Sequence, residues 1–304
     1  MKAVQFCEFG GPERLQIVDL PQPAVGRGEV LVRVKAAGLN PGESMIRQGL
    51  LEDFFPTKLP CGEGSDFAGI VQELGQGLTD FKLGDEVVGY TDNRASHAEF
   101  VLADVDKLTL KPKGVSWEVG GSLFVAGNTA IASVEAVGMK SGDTVVIAGA
   151  AGGVGAIASQ LAVIRGAHVI GIASENYHEW LYAHGITPVD YHGDTATQIR
   201  RLADVVDAFI DTVGDGYVEL ALELGVSPER INTTIDFQAA HRYQAQSKGS
   251  ADANGKQTLQ TLLRYIDEGE LEVPIARTFS IDRVRDAYIY MEEEHELGKT
   301  AIRF

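Results

Sequence analysis

Two patterns of hydrophobic and polar positions divide the chain near residue 123. In EVLVRVKAAGL, residues 29–39, valines at positions 30, 32 and 34 alternate with Leu31, Arg33 and Lys35. This period of two is typical of a half-buried strand. Similar runs recur in FAGIVQEL, GDEVVGY and HAEFVLADVDKLTL, with glycine and proline between them. Residues 1–123 are therefore predicted to form a compact β-rich domain.

After Ser122, short apolar runs alternate with stretches of helical spacing. The pairs are DTVVIAGA with GGVGAIASQLAVIRG, HVIGIAS with YHEWLYAHG, and VDAFIDTVG with GYVELALELG, followed by RINTTID. Such repetition predicts parallel strands joined by right-handed crossovers, which is a doubly wound α/β domain. Residues 239–257 are polar and small and predict a surface loop. A helix TLQTLLRYIDEGEL, a second helix with apolar residues at 284, 287, 288 and 291, and a terminal strand TAIRF complete the prediction.

The most apolar passage, residues 145–164, contains Gly149, Gly152, Gly153 and Gly155 within seven positions. A membrane helix is disfavoured because glycine costs about 1 kcal/mol in a helix interior and because the passage is barely long enough. We predict a buried strand over 143–148, a turn over 149–153 and a helix from Val154. Glycines in such a turn let the backbone approach a pyrophosphate, whose charge then lies at the helix N-terminus. The alternative is that they only let helix and strand pack closely.

Composition and charge narrow the function classes. The 304 residues suffice for two domains, and the formal net charge of -17 disfavours nucleic acid or an anionic membrane surface as the main partner. Cys7 and Cys61 are the only cysteines, so a disulfide framework is excluded and a reducing cytoplasm is expected. The start MKAVQFCEFGGPE lacks the apolar core of a signal peptide.

The second predicted strand of the α/β domain bears on which dinucleotide binds. Glu175 lies at the distance at which an acid holds the ribose of NAD, but the strand has already ended by then. Ser174 leaves room for the additional phosphate of NADP and offers a hydroxyl to it. His178 and Tyr191 could close this pocket, although His178 is also explained as a solvated helix residue.

Four motifs, AAGLNPGESMIRQG, GSDFAGIV, KLGDEVVGY and AGAAGGVG, occur in this order. Together they resemble the zinc-independent quinone oxidoreductases of the medium-chain dehydrogenase/reductase superfamily, the ζ-crystallin-like group, over essentially the whole chain. The resemblance implies a GroES-like catalytic domain at 1–123 and 274–304 and a Rossmann domain at 124–273. It further implies NADPH-dependent reduction of quinones or related enones in a cleft between the domains of a homodimer, with NADH as the other possible cofactor.

The resemblance also implies roles for particular residues. Asn40 would lie beside nicotinamide and substrate, as the residue that orients the acceptor, and Thr129 near the nicotinamide amide; a turn role before Pro41 is the other explanation of Asn40. The pyrophosphate would meet Ala151, Gly152, Gly153 and Val154, and the adenosine phosphate would meet Ser174, His178 and Tyr191. Many members carry Tyr where this chain has Met45, which we take as substrate-binding, and often Lys where it has His178. SPERINTTID also departs from the usual glycine-rich turn.

A metal site and an acid pair are less favoured. CGEGSDFAG stands where zinc-dependent relatives carry a histidine, and Cys61, Glu63 and Asp66 alone do not complete a zinc site, so no metal is expected. Cys61 is predicted to be a buried small hydrophobe. Glu43 and Asp66 could form a general acid system, but a loop acid and a turn-capping aspartate explain them as well.

Two functional hypotheses remain. The first is a reductase in which the cofactor delivers hydride to a quinone, or to the double bond of an α,β-unsaturated carbonyl, with the proton coming from water. The second is a dinucleotide-binding sensor without turnover, because a fold does not by itself determine function.

Overall fold

The computed structural model describes residues 1–304, and its first part is rich in antiparallel strands. Two helices, α1 (Pro41–Arg47) and α2 (Trp117–Gly121), accompany eight strands. The strands are β1 (Lys2–Phe6), β2 (Gln16–Asp19), β3 (Glu29–Gly38), β4 (Cys61–Gly62), β5 (Asp66–Leu74), β6 (Glu86–Tyr90), β7 (Phe100–Asp104) and β8 (Leu108–Leu110). The period-two run predicted over 29–39 is β3, so this prediction is confirmed.

The second part alternates helices and strands. In order they are α3 (Phe124–Ala136), β9 (Thr144–Ala148), α4 (Gly153–Ile164), β10 (His168–Ala173), α5 (His178–Ala183), β11 (Ile186–Asp190), α6 (Thr195–Leu202), β12 (Ala208–Asp211), α7 (Tyr217–Glu223), β13 (Ile231–Thr233), α8 (Phe237–Tyr243) and α9 (Gly255–Asp267). The five strands form a parallel sheet in the order β11-β10-β9-β12-β13. The predicted doubly wound α/β architecture is confirmed.

The C-terminal residues return to the first part. They form β14 (Ile275–Ser280), α10 (Val284–Glu293) and β15 (Lys299–Arg303). A seven-stranded sheet results, with the order β14-β15-β3-β5-β6-β8 and with β7 also paired to β3, while β1, β2 and β4 form a small separate sheet. Because β15 pairs antiparallel with β3, the end of the chain lies next to the residues that lead into α1.

Burial explains why the passage over 145–164 is so apolar. Val145 and Ile147 pack into one buried cluster of the α/β part, and Val146 and Ala148 pack into another on the opposite face of the sheet. A parallel strand covered on both faces needs an apolar side chain at every position. The predicted strand, turn and helix are confirmed to within one residue at each end. None of the helices combines the length and the apolar character that crossing a bilayer requires.

The predicted surface loop over residues 239–257 is wrong at both ends, because α8 covers its start and α9 already begins at Gly255. Residues 237–243 form α8, whose first turn is capped because the Asp236 carboxylate accepts the Ala239 N–H at 2.8 Å. Ala239 and Ala240 are buried. Gln246 then pairs with β13 through backbone bonds to Ile231 and Thr233. The polar composition concealed this helix because two small alanines are enough to bury its inner face.

Candidate active site

The glycine turn lies at the carboxyl edge of the parallel sheet. Ala148, the last residue of β9, is in register with Ile172 of β10 and with Asp211 of β12. The strand order reverses between β9 and β12, which is where open α/β sheets bind ligands in the crevice beyond the strand ends. The turn that follows Ala148 therefore opens onto this crevice.

The glycines of the turn do not all have the same role. A Cβ on Gly155 would lie only 2.0 Å from the carbonyl oxygen of Gly149, so Gly155 is needed for close packing. Gly152, the N-cap of α4, has no side-chain cap, and an added Cβ would meet only the Gly149 oxygen, at 3.3 Å. The first amides of a helix lack acceptors within it, and that of Val154 remains for a ligand, whereas Gly153 takes part in the bridge between Gly152 and Gly298. The open face at Gly152 and the Val154 amide fit a pyrophosphate.

The residues predicted to hold the adenosine phosphate come to the same edge. Ala173 of β10 is in register with Asp190 of β11, so Ser174 and Tyr191 follow from neighbouring strand ends. Tyr191 is 45% exposed. His178 begins α5 and is partly buried, and its Nε2 atom is buried without a hydrogen-bond partner.

Local bonds restrict what Ser174 offers. Its Oγ accepts the N–H of Asn176 at 3.4 Å, and the hydroxyl proton remains for a ligand. Glu175 next to it is exposed to solvent. Ser174, His178 and Tyr191 thus share one edge with Ala151, but their roles stay predictions.

The remaining predicted residues lie on two helices. Thr129 is buried in α3, and its hydroxyl donates to the carbonyl oxygen of Val125 at 2.7 Å. Met45 lies on α1 and is partly exposed. Their predicted contacts with nicotinamide and substrate stay predictions.

Asn40 is more deeply buried than a residue that simply faces a cleft, with 2% of its surface exposed. It is the N-cap of α1, and the Glu43 carboxylate accepts both its backbone N–H, at 3.0 Å, and its side-chain Nδ2–H, at 3.1 Å. Lys299 donates from Nζ to the Asn40 Oδ1 at 2.6 Å. Both polar atoms of the amide are therefore held by side chains of the protein.

Lys299 connects Asn40 to the glycine turn. A Cβ on Gly153 would lie 2.6 Å from the Lys299 Cδ, so the lysine stem passes directly over this glycine. The neighbouring Gly298 donates its N–H to the carbonyl oxygen of Ala151 at 2.9 Å. The structure thus brings together the predicted acceptor-orienting residue and the predicted pyrophosphate-binding turn.

A second set of buried polar side chains surrounds the other end of α1. Arg47 is fully buried and donates to Glu63 at 3.0 Å and to Glu292 at 3.2 Å. Its guanidinium lies 4.4 Å from the ring centroid of Tyr288, whose hydroxyl donates to Glu43 at 2.8 Å. Helices α1 and α10 are thereby joined through buried charge.

The buried cations and carboxyl groups do not balance. Arg47 and Lys299 face three buried carboxyl groups, those of Glu43, Glu63 and Asp66. Burial raises the pKa of Glu63 to about 8, which Arg47 only partly offsets, and burial raises the pKa of Asp66 to about 7 against the effect of Lys299. Burial also lowers the pKa of Lys299. The cluster therefore retains a proton near neutral pH.

His97 contributes no positive charge to this region. It is fully buried, and its Nε2 lies 3.1 Å from the carbonyl oxygen of Gly38. Burial lowers the pKa of His97 below its ordinary value, although Glu43 opposes the shift. The imidazole is therefore neutral at neutral pH.

Sequence reasoning did not identify Lys299, Arg47 or Tyr288 as part of the site. It did raise Glu43, but the loop-acid explanation of Glu43 is wrong, because this residue is a helix-capping acid at the third position of α1. Asp66 is not a turn cap: it begins β5, is fully buried, and accepts the Val125 N–H at 3.1 Å. An asparagine followed three residues later by a glutamate was the available signal for the N-cap.

No cluster of three or more His, Cys, Asp or Glu side chains in residues 1–304 could hold a metal ion. Cys61 is buried in β4 opposite Phe6 of β1, as predicted for a small hydrophobe. Glu63, near it in sequence, is paired with Arg47 rather than with a second ligand.

Two family models match the chain. The alcohol dehydrogenase GroES-like domain matches residues 26–123, and a model described as zinc-binding dehydrogenase matches residues 184–302. Both matches agree with the GroES-like and Rossmann parts expected from the resemblance.

Individual proteins match over nearly the full length. A chloroplast envelope quinone oxidoreductase homolog of Arabidopsis thaliana is 36% identical over 99% of this chain and 98% of its own length. An NADPH-dependent alkenal/one oxidoreductase of the same plant is 30% identical over 99% of this chain and 79% of its own. The solved structure of a quinone oxidoreductase from Coxiella burnetii covers 100% of this chain and 99% of its own, with 32% identity and a TM-score of 0.89.

These matches and the confirmed fold agree with one another. The chain therefore belongs to the zinc-independent quinone oxidoreductases of the medium-chain dehydrogenase/reductase superfamily, a family of oxidoreductase enzymes.

Proposed function

We propose that the protein uses NADPH to reduce a quinone, in the crevice between the glycine turn and α1. The observation that best supports this is the path from Gly153 through the Lys299 side chain to the Asn40 amide, because hydride transfer requires cofactor and acceptor to meet at close range. When bound, the reduced nicotinamide supplies a hydride, which together with one proton converts a quinone to a hydroquinone and leaves the dinucleotide oxidised.

In this proposal, the residues of the chain bind the cofactor and orient the acceptor. The glycine turn and the Val154 amide at the start of α4 would hold the pyrophosphate, Thr129 would lie near the nicotinamide amide, and Asn40 would orient the acceptor. Glu43 accepts hydrogen bonds from four donors, two from Asn40, the Ser65 N–H and the Tyr288 hydroxyl, so it is not free to act as an acid. We therefore propose water as the proton source.

The choice of NADPH rests on the edge formed by Ser174, His178 and Tyr191. A serine hydroxyl and a buried imidazole nitrogen without a partner are groups that can bond a phosphate. The exposed Glu175 turns its charge to solvent, which is compatible with a phosphate at Ser174. NADH is the alternative cofactor.

A second acceptor class is an α,β-unsaturated ketone or aldehyde. It is supported by the 30% identical relative named for alkenal/one reduction. The same hydride delivery applies, with the proton added to the adjacent carbon. Met45 on α1, where many quinone reductases of this type carry tyrosine, would contact either acceptor.

Three further proposals accompany this function. The domain limits are 1–123 with 274–304 and 124–273, supported by the pairing of β15 with β3. The homodimer rests on the family resemblance alone. A reducing, cytoplasmic compartment is supported by the free thiols of Cys7 and Cys61.

The test is the loss of reduced-cofactor absorbance with chelator-treated protein, comparing NADPH and NADH against a simple quinone and an enone. We expect faster oxidation of NADPH with the quinone and no effect of the chelator. Faster turnover of the enone would transfer the assignment to the second class. Binding of both cofactors without oxidation of either would contradict the reductase proposal and favour the dinucleotide sensor.

A further inference from the structure

Lys299 occupies an unusual position for a lysine. It is the first residue of β15, only 5% of its surface is exposed, and its backbone N–H donates to the carbonyl oxygen of Pro274 at 2.9 Å. The Nζ atom donates to the carbonyl oxygen of Leu39 and to the Asn40 Oδ1, both at 2.6 Å. The ammonium thus contacts the two residues that follow β3.

The charge of this buried ammonium is compensated only at a distance by acids. Asp66 on β5 and Glu43 on α1 are the carboxyl groups that act on it, and neither forms a direct salt bridge with it. Apolar side chains of similar size often replace buried ions without loss of stability, so a fold does not need a lysine here to fill space. What a lysine adds at this position is the hydrogen bond to Asn40.

An ammonium also determines which way the Asn40 amide faces. Lysine has three donors and no acceptor, whereas an asparagine amide presents an oxygen on one side and an NH₂ group on the other. Only the oxygen of Asn40 can therefore face Lys299, and Nδ2 must face Glu43. Glu43 disfavours the flipped amide from the Nδ2 side, and Lys299 is the group that holds the oxygen from the other side.

The same residue contacts the turn that would hold the cofactor. Its stem lies over Gly153, and Gly298 before it forms a backbone bridge with Gly152. If the glycine turn shifts when the cofactor binds, Lys299 would therefore move with it, and so would its hydrogen bond to Asn40.

We propose that Lys299 is a positioning residue that orients the Asn40 amide for the acceptor and couples this orientation to the occupancy of the glycine turn. The inference deepens the proposed function and rests on it for the role of Asn40. Lys299 acts through Asn40 and is not assigned a contact with the reacting atoms.

The test is a double-mutant cycle with Lys299→Met, Asn40→Ala and the double variant. Methionine keeps the length of the stem and removes the donor. We expect Lys299→Met to lower kcat/KM for the acceptor about tenfold to a hundredfold, the range expected from loss of a charge-assisted hydrogen bond. Asn40→Ala should cause a smaller loss in the Lys299→Met background than in wild type, because the amide is then held by Glu43 without Lys299. Lys299→Arg, which keeps a head group with donors only, should retain more activity than Lys299→Met.

Lys111→Met is the matched control. Lys111 is also a buried lysine, with Nζ donating to the carbonyl oxygens of Pro112 and Val115 and paired with Glu86, but it contacts neither Asn40 nor the glycine turn. It should lose stability in urea without loss of kcat/KM. A purely structural role of Lys299 would make both lysine variants behave alike.

A second readout separates this proposal from the proposed function. The same cycle is measured on NADPH affinity by fluorescence titration, which needs no turnover. If wild-type protein oxidises no cofactor with any acceptor, the proposed function fails, and non-additive losses of NADPH affinity would still support the role of Lys299. The proposal would be overturned if the losses of the two single variants multiply in the double variant, both in kcat/KM and in NADPH affinity. It would also be overturned if Lys299→Met keeps kcat/KM within twofold of wild type, or if neither Lys299 variant folds.

Discussion

The two roles assigned to the glycines of the turn can be separated by adding the same methyl group at two positions. In Gly155→Ala the new Cβ would lie 2.0 Å from the Gly149 oxygen and 2.7 Å from its carbonyl carbon. Non-bonded heavy atoms prefer a separation of about 3.5 Å, so the backbone must move by about 1 Å or more. Overpacking of this kind costs up to about 3 kcal/mol, and the helix preference of alanine returns about 1 kcal/mol. We expect the free energy of unfolding to fall by about 2 kcal/mol.

Gly152→Ala should behave differently. At this position φ is -75°, which alanine adopts without strain, and the nearest atom to an added Cβ is 3.3 Å away. Stability should change by less than about 1 kcal/mol, the usual range at an N-cap. The methyl group would lie on the open face of the turn, however, where a pyrophosphate approaches. The affinity for NADPH should fall about tenfold or more, which corresponds to about 1.4 kcal/mol.

Two assays decide the outcome. Urea unfolding is followed by the fluorescence of Trp117 in α2 and Trp180 in α5, and NADPH binding by fluorescence titration. Gly249→Ala is the control, because an added Cβ there meets no atom within 4 Å. If Gly152→Ala binds NADPH within twofold of wild type, the reasoning is refuted and the glycines serve only the packing of helix on strand.

Two further predictions concern the buried charges. Arg47→Met leaves Glu63 buried without its hydrogen-bond partner, and because the pKa of Glu63 is raised to about 8 the carboxyl group stays protonated at pH 7. The free energy of unfolding in urea at pH 7 should fall by about 1–3 kcal/mol, with partial recovery in Arg47→Met/Glu63→Gln; a loss below about 0.5 kcal/mol would contradict the pairing. Burial raises the pKa of Asp66 from its ordinary value to about 7. Between about pH 4 and pH 7 the folded protein therefore holds a proton on Asp66 that the unfolded chain has released. As the pH rises through this range, Asp66 should lower the free energy of unfolding by up to about 1.4 kcal/mol per pH unit. Asp66→Asn should remove this contribution from the slope, measured by urea unfolding between about pH 4 and pH 7, and leave the contribution of Glu63, whose pKa burial raises to about 8. The exposed Asp80→Asn should leave the slope unchanged, and equal slopes in wild type and Asp66→Asn would contradict the raised pKa of Asp66.

The buried surroundings of Asn40 bear on how an acceptor would be oriented. One N–H of its amide is taken by Glu43 and its oxygen by Lys299. The Asn40 side chain also hydrogen-bonds to Asp66, so its second N–H is directed to that carboxyl group. An acceptor oxygen would therefore take a hydrogen bond from this amide by replacing Asp66, and a donor is the polarity that a carbonyl oxygen gaining electron density requires.

Local pattern was sufficient to predict much of this protein. The alternation over residues 29–39 predicted β3, and the apolar run before Gly149 predicted β9. Both predictions were possible because the spacing of buried side chains along one strand depends only on the residues of that strand. The repeated strand and helix predicted the parallel sheet, and the sheet's geometry alone brings Ser174 and Tyr191 to one edge. Helix α8 escaped prediction because its burial depends on two alanines in an otherwise polar stretch.

The polar cluster was decided only by the tertiary structure. Lys299 reaches Asn40 across 259 residues of sequence, and Tyr288 reaches Glu43 across 245. No periodicity encodes such pairs, because they depend on how the C-terminal strand and helix lie against β3 and α1. The raised pKa values of Glu63 and Asp66 have the same origin, since burial among distant side chains, and not the neighbouring sequence, removes water from their carboxyl groups.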